Sequence, residues 1–592
     1  MIARRIFTAL FGILFFLLLE LGQNTLVGWG LTALLIAGFV VLFESGLLHR
    51  RKRRIPLKFF SWVAFFCLFI GVFFLSAPPV KRVPALDAKD APVTDVVTLN
   101  AGQVIGVVDE ENGVEIYAGI PYAAPPVGEL RWKEPQDPEP WEGVLKADTF
   151  APMAMQPQDS TLYHSLAAII GYHDYKWFSF KDNYRPAVSE DALYVNVWKP
   201  AGEVKGLPVL VYIHGGSLQT GQPWYEDYSG TGLAKEGVIV VNMGYRLGVF
   251  GYLALSELAE ESPNRTTGNY GLLDQIKALE WVRDNIASFG GDPENVTLAG
   301  ESAGSASVSA LCTSPLAKGL FRRVVMESST VASKTPPHSY RSYADAIASG
   351  KRFQQTYGAQ TLDEMRALSA EKIVAAANTE HHITVDGYAL LEDPYISYLK
   401  GEFNEEAAFH GFNAEESGPF ILFSGANLKN YEQKIRSYFG DYADEVLSRY
   451  PATTNEEAAE NWAEIYGAAF FDYPHYAYNR LAVESGIPTY TYYFSKHNGR
   501  IGCWHSGEEV YLYANIPNGS KLYDEDDRAL SKSFSSYFLN FIRTGDPNGA
   551  GLARFEENAD SASYLEFGDG GIFPVKESER RLGLFAIFDK MQ

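Results

Sequence analysis

Apolar positions are distributed along this chain in two different ways. Through the first 75 residues they come in long runs: Ile6 to Leu19, Leu26 to Phe43 and Phe59 to Leu75, of 14, 18 and 17 residues. A helix crossing a bilayer core needs about 20 predominantly apolar residues. The second and third runs approach that length, and the first reaches it with Leu21 and its flanks past Glu20. The pattern predicts three transmembrane helices. A cleaved signal peptide is the alternative for the first run, because Arg4 and Arg5 precede a short apolar core. Glu20 follows without a small-residue cleavage pattern, however, and two more runs come after it.

Beyond the third run the periodicity changes. Residues 76–94 carry Pro78, Pro79, Pro84 and Pro92 among charges and show no apolar period, which predicts a linker. From Val96 onward, short β-branched runs alternate with helical patterns. Pro208 to Ile213, Val238 to Asn242, Val296 to Ala299, Arg323 to Met326 and Thr489 to Phe494 read as buried strands. Leu272, Ile276, Leu279, Val282, Ile286 and Phe289 recur every three or four residues, an apolar helix face. Strands alternating with helices imply a mostly parallel sheet covered on both faces. The expected organisation is a membrane anchor over 1–75, a linker over 76–94 and one α/β body over 95–592.

Charge sharpens this division. Residues 1–82 hold ten Lys or Arg and two acidic residues, whereas the remainder holds 40 basic and 70 acidic residues. So acidic a body repels nucleic acid, and no nucleic-acid partner is expected. Arg4, Arg5 and the cluster Arg50 to Arg54 flank the runs on alternate sides, while the connection near Gln23 carries no positive charge. Basic residues stay in the cytoplasm. Three crossings then place the body on the far side, in the periplasm or outside the cell, with only Lys81 and Arg82 opposing.

The candidate chemistry begins at Gly300-Glu301-Ser302-Ala303-Gly304, directly after the strand Val296 to Ala299. A Gly-x-Ser-x-Gly between strand and helix presents the serine on a tight, strained turn, making Ser302 a candidate nucleophile. Glycine and serine also meet in ordinary turns, so the five residues alone do not decide. The flanks do more. Phe289-Gly-Gly leading into Gly300 to Gly304, Glu190-Asp-Ala-Leu-Tyr-Val-Asn-Val-Trp-Lys-Pro200, Gly268-Asn-Tyr-Gly-Leu-Leu-Asp-Gln275 and Thr544-Gly-Asp-Pro-Asn548 together resemble the type-B carboxylesterase and cholinesterase family of α/β-hydrolases. That resemblance implies an α/β-hydrolase fold, with a mostly parallel central sheet flanked by helices, following the three predicted membrane helices. It implies a serine hydrolase that cleaves small-molecule carboxylic esters through an acyl-enzyme.

A serine hydroxyl needs a base, and the base a carboxylate to orient it. Seven histidines follow Ser302, and spacing does not choose among them. Gly502-Cys-Trp-His-Ser-Gly-Glu508 resembles the family's histidine segment, which gives the base role to His505. Gly411-Phe-Asn-Ala-Glu-Glu416 resembles the acidic segment and points to Glu416; the family's following glycine is Ser417 here, which leaves Glu415 as runner-up. His214-Gly-Gly-Ser-Leu218 resembles the oxyanion segment, so that the N–H groups of Gly216 and Ser217 join that of Ala303. Ser217 stands where the family has glycine, and its Cβ implies an ordinary backbone conformation there. Glu301 and Ser328 match positions beside the nucleophile and near the acid.

No His-Glu-x-x-His or Cys-x-x-Cys occurs, and His381-His382 reads as a loop feature, so no catalytic metal or cofactor is expected. Only Cys67, Cys312 and Cys503 are present. Ala192 and Met155-Gln156 stand where the family's extracellular members carry a disulfide, which implies a fold held by packing alone. The tryptophan that stacks on quaternary ammonium in cholinesterases aligns with Asp182, with Trp177 nearby, and choline esters are not expected. Two rival functions stay open: a non-catalytic adhesion or binding member of the family, against which all three triad positions are filled, and hydrolysis of amides, lactones or thioesters.

Overall fold

Alternate residues of the strand Leu207–Ile213 enter different cores. Val209, Val211 and Ile213 pack on one side with Leu272, Leu279, Val308 and Leu311, while Leu210 and Tyr212 pack on the other with Phe534, Phe538 and Phe541. A strand apolar on both faces belongs in the middle of a sheet covered by helices. The computed structural model describes residues 2–44, 55–81, 83, 91–157, 185–334, 340–375, 380–422, 424–497, 503–520, 522–558 and 562–592. The basic cluster Arg50 to Arg54, and Trp177 and Asp182, lie outside the described residues. The chain forms two units, residues 83–157 with 188–592, and residues 1–82 with 158–187.

The larger unit is built on an 11-stranded sheet. In chain order its strands are β1 Val107–Asp109, β2 Val114–Pro121, β3 Tyr194–Pro200, β4 Leu207–Ile213, β5 Ile239–Met243, β6 Gly291–Glu301, β7 Arg323–Glu327, β8 Ala407–Asn413, β9 Thr489–Ser495, β10 Ser563–Gly568 and β11 Gly571–Lys576. Their spatial order is β11-β10-β9-β8-β7-β6-β4-β5-β3-β2-β1. Pairing is parallel from β10 through to β5 and antiparallel at both margins. The five strands read from sequence all fall in the parallel part. β8 and β10 escaped that reading, because His410 and Gly411 interrupt the apolar run of β8 and Glu566 that of β10. The predicted apolar helix face is the helix Tyr270–Asn285 with the 3-10 turn Ile286–Phe289, and all six of its residues are buried.

Among the described residues the smaller unit contains three helices, α1 Ile2–Leu21, α2 Leu26–Glu44 and α3 Ile55–Leu75, which coincide with the three apolar runs. They meet through rings: Phe15 stacks on Phe69 at 3.9 Å and Phe39 on Phe65 at 4.5 Å. At one end, the Asn24 side-chain amide donates to Ser76 Oγ at 2.8 Å and to the Phe73 carbonyl at 2.6 Å. Leu10, Ile13, Leu34, Val41, Phe60 and Phe74 are exposed on the outside. Among the described residues no helix is long and apolar enough to cross a membrane; the described side chains of α2 and α3 cover residues 26–41 and 59–75.

Part of the segment expected to be a linker also lies outside the described residues, at 82 and 84–90. Val80–Lys81 pairs in parallel with Arg185–Pro186. In the larger unit the Val108 N–H donates to the Pro92 carbonyl at 2.8 Å, and the Gly106 N–H to Thr94 Oγ1 at 2.9 Å, so chain order is already established by Pro92.

Candidate active site

β6 runs into Ser302 and then into a helix at Ala303–Cys312. Ser302 has φ 54° and ψ −122°, a conformation side chains rarely adopt. Both motif glycines are required for it. A Cβ on Gly300 would lie 2.6 Å from the Gly304 carbonyl carbon, and one on Gly304 would lie 2.0 Å from the Ile213 carbonyl oxygen. The turn is held from beneath by the Ser302 N–H, which donates to the Glu327 carbonyl at 2.8 Å.

Near this turn, His505 Nδ1 lies 2.5 Å from Glu416 Oε2. Glu416 is almost completely buried, and its other oxygen accepts from Ser328 Oγ at 2.6 Å and from the Asn413 N–H at 2.8 Å. Burial pushes the Glu416 carboxyl up, to about 8, while these two donors pull it down. With three donors converging, the group accepts at both oxygens, the geometry of an ionised carboxylate. Glu415, the runner-up, is exposed and faces His497 instead, with Oε1 3.6 Å from its Nε2. His505 Nε2 is buried, makes no hydrogen bond and lies 3.1 Å from Glu301 Oε1. The rings of Phe420 and Phe471 cover the imidazole at 5.0 and 4.6 Å.

Behind this pair several carboxyl groups are buried together, a grouping that no motif announces. Glu301, Glu327, Glu416, Glu508 and Glu509 are all buried. Burial pushes Glu301 and Glu508 up to about 7 and raises Glu327 and Glu509 well above the usual carboxylate range, and their mutual repulsion adds to it. Each has hydrogen-bond partners. Ser506 Oγ donates to Glu301 at 2.7 Å, Tyr513 OH to Glu327 at 2.8 Å, Tyr492 OH to Glu508 at 3.2 Å, and Tyr212 OH to Glu509. The Glu301 and Ser328 readings are thereby given physical content: Ser328 bonds Glu416 directly, and Glu301 faces the free nitrogen of His505.

The third wall is the loop after β4. His214 is buried, stacks on Tyr245 at 4.5 Å, and is held down to about 4 by its burial, so it anchors the loop as a neutral ring. Gly216 has φ 105°, and a Cβ there would lie 2.3 Å from the Thr220 carbonyl oxygen. Ser217 corrects the sequence expectation. Its φ is 57° and that of Leu218 is 59°, so serine here occupies the left-handed conformation in place of an ordinary one. The tight return imposed by Gly216 leaves no extended path to the buried Leu218. Among the described residues the N–H groups of Gly216, Ser217 and Ala303 find no acceptor. Ser217, Leu218, Ser302, Ala303, Ser329, His382, Phe420 and Phe471 line one cleft.

His382 is a cleft residue that sequence reasoning passed over as a loop feature, and Phe420 and Phe471 had no motif to mark them. His410 and His475 form a buried parallel pair with Nδ1 atoms 3.1 Å apart, and His338 lies outside the described residues.

A mostly parallel sheet with a serine on a strained strand-to-helix turn, a histidine–carboxylate pair beside it and free N–H groups on the opposite wall defines an α/β-hydrolase. The chain belongs to the carboxylesterase family, whose model matches residues 93–572. It is 32% identical over 508 residues to carboxylesterase 1C of Rattus norvegicus, covering 80% of this chain and 89% of that one. It is 33% identical over 477 residues to the para-nitrobenzyl esterase of Bacillus subtilis (strain 168), covering 76% and 90%. A solved PNB esterase superposes with a TM-score of 0.70 at 30% identity, over 83% of this chain and 99% of that one. The protein is a carboxylic-ester hydrolase of the serine class.

The left-handed Ser217 generates a stability prediction. Ser217→Gly removes backbone strain and leaves the urea midpoint unchanged or higher, whereas Ser217→Val places a β-branched residue at positive φ and costs about 1–2 kcal/mol. Equal midpoints for the two variants would contradict this conformation.

Proposed function

We propose that Ser302 is the nucleophile of ester hydrolysis, His505 its base and then its acid, and Glu416 the residue that orients His505, with the N–H groups of Gly216, Ser217 and Ala303 receiving the oxyanion. The observation that carries this reading is the 2.5 Å contact between His505 Nδ1 and Glu416, made under two aromatic rings that also line the cleft of Ser302. Ser302 Oγ attacks the ester carbonyl carbon while its proton passes to His505 Nε2. The carbonyl oxygen becomes an oxyanion, stabilised by the three N–H groups. Collapse breaks the bond to the alcohol, which leaves with the proton from His505. Water, deprotonated by the same nitrogen, then attacks the acyl-enzyme and frees the acid and Ser302. Glu416 lowers the energy of the imidazolium formed in each half-reaction. Leu218, Phe420 and Phe471 make the cleft wall apolar, which suits a hydrophobic acyl group.

Because these residues act as a unit, Ser302→Ala and His505→Ala each lower kcat on a chromogenic ester by roughly 10⁴-fold, and the double variant adds little. Ser217→Pro, which removes the donor and cannot adopt the φ of 57° found there, lowers it by about 10²-fold or more. A Ser302→Ala protein retaining a tenth of the rate would refute the assignment.

The same reading extends to the N-terminal unit as a membrane anchor for residues 1–75, followed by a linker. What supports this reading is that α1, α2 and α3 coincide with the three apolar runs of the sequence. Phe15, Phe39, Phe65 and Phe69 pack together between the helices, while Leu10, Ile13, Leu34 and Val41 are exposed together with Phe60 and Phe74, an apolar outer surface that a lipid surround favours and water does not. With Arg4, Arg5 and Arg50 to Arg54 on the cytoplasmic side, three spans export the catalytic body. In bacterial spheroplasts expressing the full chain, added protease is expected to digest the body and spare a membrane-bound fragment. Protection of the body until lysis would overturn this topology.

A further inference from the structure

Among the described residues, one cluster of ligating side chains lies outside the proposed catalytic constellation. His497 Nε2 is 3.6 Å from Glu415 Oε1 and 4.0 Å from Cys503 Sγ, and the three ligand atoms all lie within 4.8 Å of one another. A tetrahedral zinc ion with bonds of about 2.0–2.3 Å sets its ligands about 3.3–3.7 Å apart, so these edges need to close by a fraction of an ångström up to about an ångström. The histidine is prepared for such a role. Its Nδ1 lies 2.8 Å from Asp569 Oδ2, and Asp569 is itself held by Lys496 Nζ at 3.0 Å and by the His497 N–H at 3.3 Å. A carboxylate on Nδ1 fixes the tautomer with its proton there and leaves the Nε2 lone pair directed at the carboxylate of Glu415 and the sulfur of Cys503. Without metal the Cys503 thiol turns its S–H towards Nε2 from 4.0 Å; a zinc ion would take the place of that proton between nitrogen and sulfur.

We infer that Glu415, His497 and Cys503 form a site for a divalent zinc-type cation, with Asp569 orienting the histidine and a water completing the tetrahedron. The Cys503 side chain is buried whereas His497 and Glu415 are half-exposed, so one ligand is rooted in the core and two are open to solution. Zinc enters from that open side, and the thiol proton leaves to water as the Zn–S bond forms. Burial and Glu415 push the Cys503 thiol up to about 12, which keeps it protonated without metal; a bound dication reverses the local balance. His, Cys and carboxylate together favour zinc over calcium or magnesium, which take oxygen ligands.

The site sits on the two backbone segments that also carry the proposed acid and base. Glu415 precedes Glu416, and Cys503 is two residues before His505. Glu415 bridges Trp504, and its N–H donates to the Cys503 carbonyl at 3.3 Å. A bound ion therefore clamps these segments together. It is a structural brace and takes no part in the ester chemistry.

The test uses the full-length protein, freed of metal by chelation, with ZnCl₂ as the probe. One equivalent of zinc is expected to bind and to raise the melting temperature by several degrees. Cobalt(II) in its place is expected to show the near-ultraviolet charge-transfer band of a cobalt–thiolate bond. His497→Ala, a change at the surface, and Cys503→Ser should each abolish the shift, and the cobalt band should vanish in both. His497→Ala should leave metal-free ester turnover unchanged. Absence of binding at micromolar zinc, or a thermal shift that survives in either variant, would overturn the site and leave His497 as a surface side chain held by Asp569. Neither result bears on the ester chemistry, which the metal-free turnover reads separately.

Discussion

The structure turns on the burial of one carboxylate. Glu416 is 1% exposed, and a charge removed from water to that degree must be met by donors at close range. Its donors come from separate strand ends: Ser328 just after β7, Asn413 at the end of β8, and His505 from the segment after β9. Only parallel pairing of β7, β8 and β9 brings those ends to the same edge of the sheet. The same edge receives Ser302 from β6 and the His214 to Ser217 loop from β4. The site is thus a consequence of sheet register: each element contributes the residues that follow its carboxyl end, where ligands of open α/β sheets bind.

That arrangement has an electrostatic cost. Five glutamates share one region from which water is excluded, and burial raises every one of them. The ring of hydroxyl donors, Ser328, Tyr212, Tyr492, Ser506 and Tyr513, offsets part of that cost and fixes where each carboxyl group points. Strain is concentrated in the same place, with Ser217, Leu218, Ser302, Ser328 and Ser506 all at positive φ. Such conformations persist when the surrounding packing over-determines them, and here β-strands and buried aromatic rings do so.

Local chemistry was legible in the sequence, and distant juxtaposition was not. The turn at Ser302 announces itself because both flanking glycines are sterically required, and the amphipathic helix 270–285 because its period is strong. β8 stayed hidden because a histidine and a glycine sit in its middle, although both are buried there. Ser217 was misread because the residue type says nothing of a conformation imposed by Gly216 and the loop closure around it. Phe420, Phe471 and His382 reach the cleft from parts of the chain that only the fold brings together, and the five-glutamate cluster is scattered over more than 200 residues. The choice between Glu415 and Glu416 rested on a family segment with one departure; the geometry separates them, one facing His497 and the other His505.

On the proposed mechanism the buried Glu416 carboxylate makes ester cleavage possible by fixing His505. Glu416→Gln tests it most directly, because the amide keeps the shape and removes the charge. The expected result is a folded protein whose kcat falls by about 10³–10⁴-fold with KM changed by less than about threefold, the signature of an interaction realised in the transition state. A Glu416→Gln enzyme that keeps more than a tenth of the wild-type kcat would contradict it.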